Sequence, residues 1–257
     1  MSNVLWSATV RMPIAPMHAE PSAPSAMVSQ QLAGHQVDVL EESAEWRRIR
    51  GEDDYEGWVH AGFLSRAPDG LARQSRNFPR VSLGCVTETA SGDRRALPLR
   101  ALLAPEETLK SGEAVEINRL ASRFPPDRGA IVETAQRYFF GTSYLWGGIT
   151  PWGADCSGLA QSVFALHDVR LPRDAWQQAQ TGGDAGLDIA SLAPADLLFF
   201  SDREDRRVTH VGISLGGSRM AHSALGRGGF AIERLDDRSD AYVSRLVERF
   251  VSARTVL

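Results

Sequence analysis

The stretch that decides the fold is Cys156-Ser157-Gly158-Leu159-Ala160-Gln161-Ser162-Val163-Phe164-Ala165-Leu166. Its apolar residues recur at the spacing of one helical face. Three β-prone runs follow it, at residues 195–200, 210–215 and 217–222, with turn residues between them. A helix followed by neighbouring strands predicts an α+β fold, with an antiparallel sheet packed on the helix. Upstream, residues 129–140 show helical spacing too, so a second helix is expected there.

The chemistry of this region centres on Cys156, which the pattern places at the first turn of the helix. The positive end of a helix dipole and unpaired backbone N–H groups favour a thiolate there. His210 begins one strand and His222 follows the next, so they could supply a base and its orienting partner. The alternative is that Cys156 is a structural residue and that the two histidines are packed in the core or lie on the surface.

The composition narrows the function classes. The chain has 257 residues, a net charge of −4, and basic residues that are scattered along the sequence. Nucleic acid is therefore an unexpected partner. Neither a signal-like start nor an apolar run of membrane-spanning length occurs, so we expect a soluble, cytoplasmic protein without a membrane partner. With two cysteines in different settings, no disulfide is expected, and Cys85 reads as a small buried hydrophobe.

The N-terminal half shows short β-prone runs separated by turn residues. Residues 6–65 predict a small barrel in which 13–25 form a surface loop and 25–32 form either one helical turn or a short strand. Residues 66–122 predict a degenerate second barrel. Phe124-Pro125-Pro126-Asp127-Arg128-Gly129 is a strong break. The predicted domains are therefore residues 1–65, 66–125 and 126–257.

Five motifs occur in order between residues 128 and 250: Tyr144-Leu145-Trp146-Gly147-Gly148, Ala154-Asp155-Cys156-Ser157-Gly158-Leu159, Leu171-Pro172-Arg173-Asp174, Pro194-Ala195-Asp196-Leu197-Leu198-Phe199-Phe200 and Thr209-His210-Val211-Gly212-Ile213. This series resembles the NlpC/P60 family of cell-wall cysteine peptidases. The resemblance implies a papain-like core, with Cys156 as nucleophile, His210 as base and His222 as the residue that orients His210. It also implies cleavage of amide bonds next to γ-linked D-glutamate in peptidoglycan stem peptides, without a cofactor.

The N-terminal region is similar to bacterial SH3-like domains that precede such peptidases, through Pro16-Met17-His18-Ala19-Glu20-Pro21 and Tyr55-Glu56-Gly57-Trp58-Val59. Residues 66–122 resemble a divergent second domain of this kind. In the subgroup with this arrangement, the enzyme cuts γ-D-glutamyl–diamino acid bonds in released peptides. That resemblance implies that Asp155 and Tyr55, and more weakly Glu20, receive the free α-amine of an N-terminal L-Ala.

Further roles follow from the resemblance less directly. Ser157 and Tyr144 are expected to line the glutamyl side of the cleft. Asp155 could instead cap the helix, and both roles could coexist. Arg173 and Asp174 lie in a matching motif without a derivable contact, and a surface ion pair is their alternative. The three tryptophans of this region are expected in the core: Trp146, Trp152 and Trp176.

Two rival functions stay open at this stage. One is a wall-binding module joined to an inactive enzyme, and an intact Cys–His–His set argues against it. The other is an acyltransferase or amidase on the same fold, since an acyl-enzyme can be resolved by other nucleophiles. No HExxH or paired CxxC motif occurs, so no metal site is expected.

Overall fold

The computed structural model describes residues 4–66 and 78–257. The chain divides into two compact units, Met1–Leu120 and Ala121–Leu257. The predicted break at residues 124–129 lies just after the division. The predicted boundary at residues 65 and 66 is next to residues outside the described ranges, and the three-domain scheme stays a prediction.

The N-terminal unit begins with a seven-stranded sheet in the order β3-β2-β6-β5-β4-β1-β7. Its strands are β1 (Trp6–Val10), β2 (Ile14–His18), β3 (Met27–Leu32), β4 (Gln36–Ser43), β5 (Trp46–Arg50), β6 (Glu56–His60) and β7 (Leu64–Arg66). Apolar residues alternate along β1 and β4, so that Ala8, Val10, Val37 and Val39 are buried in a common core. The sheet therefore has a hydrophobic interior of its own.

One predicted loop is wrong, because β2 lies within residues 13–25. Strand β2 pairs with β3 along its length, but with β6 only through His18 and Trp58. Pro16 has no N–H to donate. The side of β2 that faces β6 is mostly unpaired, and a proline is tolerated there. For residues 25–32 the strand alternative is the observed one, as β3.

A second sheet follows in the same unit. It contains β8 (Arg80–Glu88), β9 (Arg94–Leu97), β10 (Leu102–Leu103) and β11 (Thr108–Glu116), and β8 is central to it. The predicted strands at 80–88 and 94–98 correspond to β8 and β9. Within the described residues this sheet is four-stranded. Most of the segment that precedes it lies outside the described ranges, at residues 67–77.

Within its described residues the C-terminal unit contains five α-helices and eight strands, of which the first helix begins one residue earlier, at Leu120. They are α1 (Leu120–Arg123), α2 (Arg128–Phe139), β12 (Ile149–Thr150), β13 (Gly153–Ala154), α3 (Cys156–Leu166), α4 (Ala175–Gln178), β14 (Gly183–Asp184), β15 (Leu197–Phe200), β16 (His210–Gly216), β17 (Arg219–Ala224), β18 (Gly229–Arg234), α5 (Ala241–Glu248) and β19 (Phe250–Thr255). The sheet order is β14-β19-β15-β16-β17-β18, and its pairs are antiparallel. The predicted α+β class is confirmed.

Helix α3 is the structural centre of this unit. Leu159, Val163 and Phe164 are at most 1% exposed. The helix lies beside β16 and β17, and it also contacts α2. Helix α5 covers a second apolar cluster that includes Leu198 and Met220. Burial on this scale fixes the start of α3, and with it Cys156, relative to the strands.

Candidate active site

Cys156 is the first residue of α3, as the sequence predicts, and it is 9% exposed. Asp155 is the N-cap residue, and its Oδ1 accepts a hydrogen bond of 2.7 Å from the Gly158 N–H. The backbone N–H groups of Ser157 and Val211 donate to the Cys156 sulfur. Because Val211 directly follows His210, this contact brings the beginning of β16 to Cys156.

His210 and His222 are brought together by the neighbouring strands β16 and β17. Nε2 of His210 lies 2.8 Å from Nδ1 of His222. The rings meet edge to face, with centroids 5.0 Å apart. His222 is fully buried, within β17 and not in the turn that the sequence suggests. Since Nε2 of His210 is engaged by His222, Nδ1 is the ring nitrogen of His210 that remains for another partner.

The protonation of Cys156 and His210 differs from the sequence-based expectation of a thiolate. Burial and the neighbouring Asp155 raise the pKa of the Cys156 thiol to about 12. Burial, together with His222, lowers the pKa of His210 to about 3. The two backbone donors and Arg173 act in the opposite direction, but desolvation is the largest effect. Both shifts favour the neutral thiol and the neutral imidazole over their charged forms.

Asp155 is engaged more fully than the sequence suggests. Arg173, 2% exposed, donates to Oδ1 at 3.0 Å and to Oδ2 at 2.6 Å. The Gly147 N–H donates to Oδ2 at 2.8 Å, and Ser157 Oγ lies 3.3 Å from Oδ1. The capping alternative is thus what the structure shows. Its predicted contact with a substrate amine stays a prediction, and it would require exchange of one of these donors.

Arg173 is a site residue whose contact sequence reasoning missed. The alternative of a surface ion pair is wrong for it, because the guanidinium is buried and forms a bidentate pair with Asp155. Its Nη1 also donates to Ser157 Oγ at 2.9 Å. Asp174 begins α4 in a capping box with Gln177. The motif at 171–174 was the available signal, but the contact joins segments 18 residues apart.

Tyr144 and Ser157 both lie near Cys156. Burial, and then the Coulomb effect of Cys156, raises the pKa of the Tyr144 phenol. The Tyr144 backbone N–H donates to Gly228 O at 2.9 Å, which holds this loop residue beside the end of the sheet. Ser157 is 6% exposed and follows Cys156 in α3. Their predicted contacts with the glutamyl group stay predictions.

Two other predicted site residues belong to the N-terminal unit. Tyr55 is half-buried and packs against the core of the seven-stranded sheet. Glu20 is exposed, and its backbone N–H donates to Ser25 Oγ at 3.0 Å. Their predicted part in binding the L-Ala amine stays a prediction.

Two tryptophans depart from the predicted core position. Trp146 is 65% exposed and Trp152 is 53% exposed, so the core prediction is wrong for both. They flank β12, in the loops that lead to Cys156. Trp176 is half-buried, with Arg207 stacked 4.9 Å from its ring centroid.

Three further observations bear on the site and its surroundings. Both cysteines are free thiols. Across residues 4–66 and 78–257, no group of three or more His, Cys, Asp or Glu side chains is placed to hold a metal ion. None of the helices in this part of the chain is long and apolar enough to cross a membrane.

Comparison with known families gives two matches. Residues 141–248 match the NlpC/P60 family, and residues 17–62 match the bacterial dipeptidyl-peptidase Sh3 domain. The first region holds Cys156, His210 and His222. The second holds Glu20 and Tyr55.

Curated relatives share these regions to different extents. The γ-D-glutamyl-L-lysine dipeptidyl-peptidase of Bacillus subtilis is 42% identical over 94 residues, which is 36% of this chain and 31% of the relative. The Bacillus cereus protein of the same name is 24% identical, over 89% of this chain and 75% of its own length. The probable endopeptidase NlpC of Escherichia coli is 36% identical over 34% of this chain and 56% of its own.

Solved structures share the fold of the whole chain. An NlpC/P60 family protein from Bacillus cereus superposes with a TM-score of 0.78 at 17% identity, covering 98% of this chain and 99% of that one. An NlpC/P60 endopeptidase from Photobacterium damselae gives a TM-score of 0.69 at 14% identity, covering 97% and 70%. With the sequence matches, this shows that the chain carries a peptidase domain of the NlpC/P60 family together with a bacterial SH3 domain of the dipeptidyl-peptidase type.

Proposed function

We propose that this chain is a cysteine endopeptidase that hydrolyses the γ-D-glutamyl–diamino acid bond of peptidoglycan stem peptides with a free N-terminal L-Ala, as a step in peptide recycling. The observation that carries the proposal is the 2.8 Å contact between His210 and His222. It lies next to Val211, whose backbone N–H donates to Cys156 at the start of a buried helix. The curated names of the Bacillus relatives support the bond and the release of a dipeptide.

The proposed mechanism uses the thiol, the imidazole pair and the helix start. As the Cys156 sulfur attacks the γ-carbonyl carbon, its proton passes to Nδ1 of His210, and His222 stabilises the imidazolium through Nε2 of His210. Backbone N–H groups at the start of α3 bind the oxyanion. His210 then gives the proton to the leaving amine, and the C–N bond breaks to leave a thioester.

The second half of the reaction regenerates the site. A water molecule gives a proton to His210 and attacks the thioester carbon, which releases the dipeptide and restores the thiol. The neutral resting pair suits this cycle, because each proton moves only as charge develops on the substrate. An acceptor amine in place of water would give acyl transfer, the rival chemistry of the same fold.

The direct test is product analysis with defined tripeptides. We expect L-Ala-γ-D-Glu-diaminopimelate or L-Ala-γ-D-Glu-L-Lys to be split into L-Ala-γ-D-Glu and the free diamino acid, identified by mass spectrometry. Cys156→Ala should lower turnover by about a thousandfold or more with an unchanged circular dichroism spectrum, because it removes the nucleophile and little packing.

Two histidine variants complete this test. His210→Ala should remove nearly all turnover, whereas His222→Gln should retain at least about tenfold more activity than His210→Ala, as for an orienting group. Turnover of Cys156→Ala within about tenfold of wild type would contradict a cysteine-peptidase mechanism. Both reactions release the free diamino acid, so transfer of the L-Ala-γ-D-Glu group to an added amine, in place of free L-Ala-γ-D-Glu, would favour the acyltransferase.

A further inference from the structure

A buried carboxylate continues the line of the two imidazoles. Oε1 of Glu233 lies 3.3 Å from Nε2 of His222, the ring nitrogen that His210 does not use. His222 is fully buried and Glu233 is 5% exposed. The two side chains come from adjacent strands, β17 and β18, in which His222 pairs with Ala231 and Met220 pairs with Glu233. They are diagonal neighbours on one face, a distance that a glutamate can span.

Glu233 is fixed from its other side by Arg227. Nε of Arg227 lies 2.7 Å from Oε1, and Nη2 lies 3.0 Å from Oε2. Arg227 also contacts Asp240, the N-cap residue of α5, and stacks 4.3 Å from the Tyr242 ring centroid. Burial alone would raise the pKa of Glu233, but hydrogen bonds from His222 and Arg227 outweigh it and lower the pKa to about 2. Glu233 is therefore ionised at any pH at which the enzyme would work.

An ionised carboxylate can only accept hydrogen bonds, and this determines where the protons lie. The proton between Glu233 and His222 must belong to Nε2 of His222. A neutral His222 then has a lone pair on Nδ1, so Nε2 of His210 must be the donor across the 2.8 Å contact. Nδ1 of His210 is consequently left unprotonated and can accept the proton of Cys156. One carboxylate thus specifies the tautomers of two rings.

We propose that Glu233 is a positioning residue of this site, which fixes the tautomers of His222 and His210 and is itself held in place by Arg227. The inference deepens the proposed function and rests on it for the roles of Cys156 and His210. Without the carboxylate, His222 can carry its proton on Nδ1. His210 then accepts at Nε2, carries its own proton on Nδ1, and cannot act as the base.

A purely structural ion pair is the competing explanation, in which Glu233 serves only to tie Arg227 and α5 to the sheet. The two explanations differ in what they predict for the rings. A structural pair affects stability but leaves the imidazole protons where they are. The proposed role predicts that removal of the carboxylate changes the tautomers even in protein that remains folded.

The experiment compares wild type with Glu233→Met, which keeps a side chain of similar length and removes the acceptor. The matched control is Arg234→Gln, at the last residue of the same strand, which breaks an exposed ion pair with Asp236 in the following turn. Imidazole ¹⁵N spectra of histidine-labelled protein report the tautomer of each ring. We expect His222 and His210 to carry their protons on Nε2 in wild type and control, and His222 to carry a substantial Nδ1–H fraction in Glu233→Met.

Activity provides a second readout. We expect kcat of Glu233→Met to fall about 10- to 100-fold with KM within about twofold, the size of effect seen when a hydrogen-bond partner that orients a metal-ligating histidine is removed. Alkylation of Cys156 by iodoacetamide at pH 7 should slow in parallel. A wild-type spectrum with His222 protonated on Nδ1 would overturn the proposal, even if Glu233→Met does not fold. So would unchanged tautomers and alkylation in a folded Glu233→Met.

The spectra and the alkylation require no peptide, which separates this proposal from the proposed function. If no tripeptide is cut but Glu233→Met shifts the tautomers and slows alkylation, the substrate assignment is wrong and the role of Glu233 stands. If tripeptides are cut and Glu233→Met behaves as wild type, the proposed function stands and Glu233 is structural.

Discussion

At the residue scale, the proposed nucleophile Cys156 and its proposed base His210 lie where burial disfavours their charged forms. The pKa of the Cys156 thiol is raised and the pKa of the His210 imidazole is lowered, so the neutral forms of both groups are favoured at pH values between the two pKa values. A thiolate–imidazolium pair would need external stabilisation at this depth. Substrate binding can supply it, because the attacked carbonyl takes up the negative charge as it forms.

This protonation state gives a spectroscopic prediction. Thiolate absorbs near 240 nm and thiol does not, so the difference spectrum of wild type minus Cys156→Ala should lack a thiolate band at pH 7. Since the pKa of Cys156 is raised to about 12, the band should appear only at strongly alkaline pH. Both proteins contain Cys85, which therefore cancels. A full thiolate band at pH 7 that disappears on acidification would show that the resting site is an ion pair.

Residue identity predicted the centre of the site but not its surroundings. Cys156, His210 and His222 follow from motifs and from the spacing of one helix and two strands. The Arg173–Asp155 and Glu233–His222 contacts join segments 18 and 11 residues apart through buried side chains. Sequence periodicity does not reveal such contacts, because charged residues follow the same sequence pattern on a surface as in a buried contact. Burial, which depends on the whole fold, decides between them.

At the element scale, the start of α3 is fitted against the loop that precedes it. A Cβ on Gly158 would lie 2.1 Å from the Gly148 carbonyl oxygen. The Gly147 N–H donates to the N-cap Asp155, so the loop and the helix share one set of contacts. The glycines of this region thus reflect close backbone approach as well as turn geometry. This approach fixes the start of α3, and with it Cys156, against the preceding loop.

The close approach predicts the effect of one methyl group. Gly158→Ala should lower the free energy of unfolding by about 1–3 kcal/mol and reduce turnover, because the Gly148 backbone must move away from the helix. Gly129→Ala is the matched control near the start of α2, where the Cβ would meet only the Asp127 carboxylate, at 3.2 Å. It should change stability by no more than about 1 kcal/mol. Urea unfolding measures both, and equal small changes would contradict the tight fit.

Elements with clear periodicity were the predictable ones. Helices α2 and α3 and strands β8 and β16 lie close to the segments that their apolar patterns indicated. The segment after β17 was not predicted, although β18, α5 and β19 complete the sheet and cover its apolar cluster. These elements are short and interleave apolar residues with charged ones, and tertiary pairing decides their structure. Glu233 was missed for the same reason, since it lies in β18.

At the scale of the whole molecule, two compact units each have a buried core of their own. The SH3-type match lies in the first unit and the peptidase match in the second. A peptidase domain alone accounts for the Cys–His chemistry. The specificity for short peptides is a separate part of the proposal, and it can fail without affecting that chemistry.

The final prediction tests that specificity. The enzyme should cut L-Ala-γ-D-Glu-diaminopimelate well and the N-acetylated peptide poorly, since acetylation removes the ammonium that a desolvated carboxylate would otherwise pair with. Loss of such a pair costs about 2–5 kcal/mol, which corresponds to about thirtyfold or greater discrimination in kcat/KM.

The variant Tyr55→Phe tests the residue predicted to assist in this recognition, because only the hydroxyl is lost. It should lower kcat/KM for the free peptide and leave the already poor value for the acetylated peptide nearly unchanged, with an unaltered melting temperature. Comparable kcat/KM values for the two peptides in wild type would exclude recognition of the free amine. A general wall hydrolase would then fit the molecule better than a recycling enzyme, and Cys156 and His210 would keep their proposed roles.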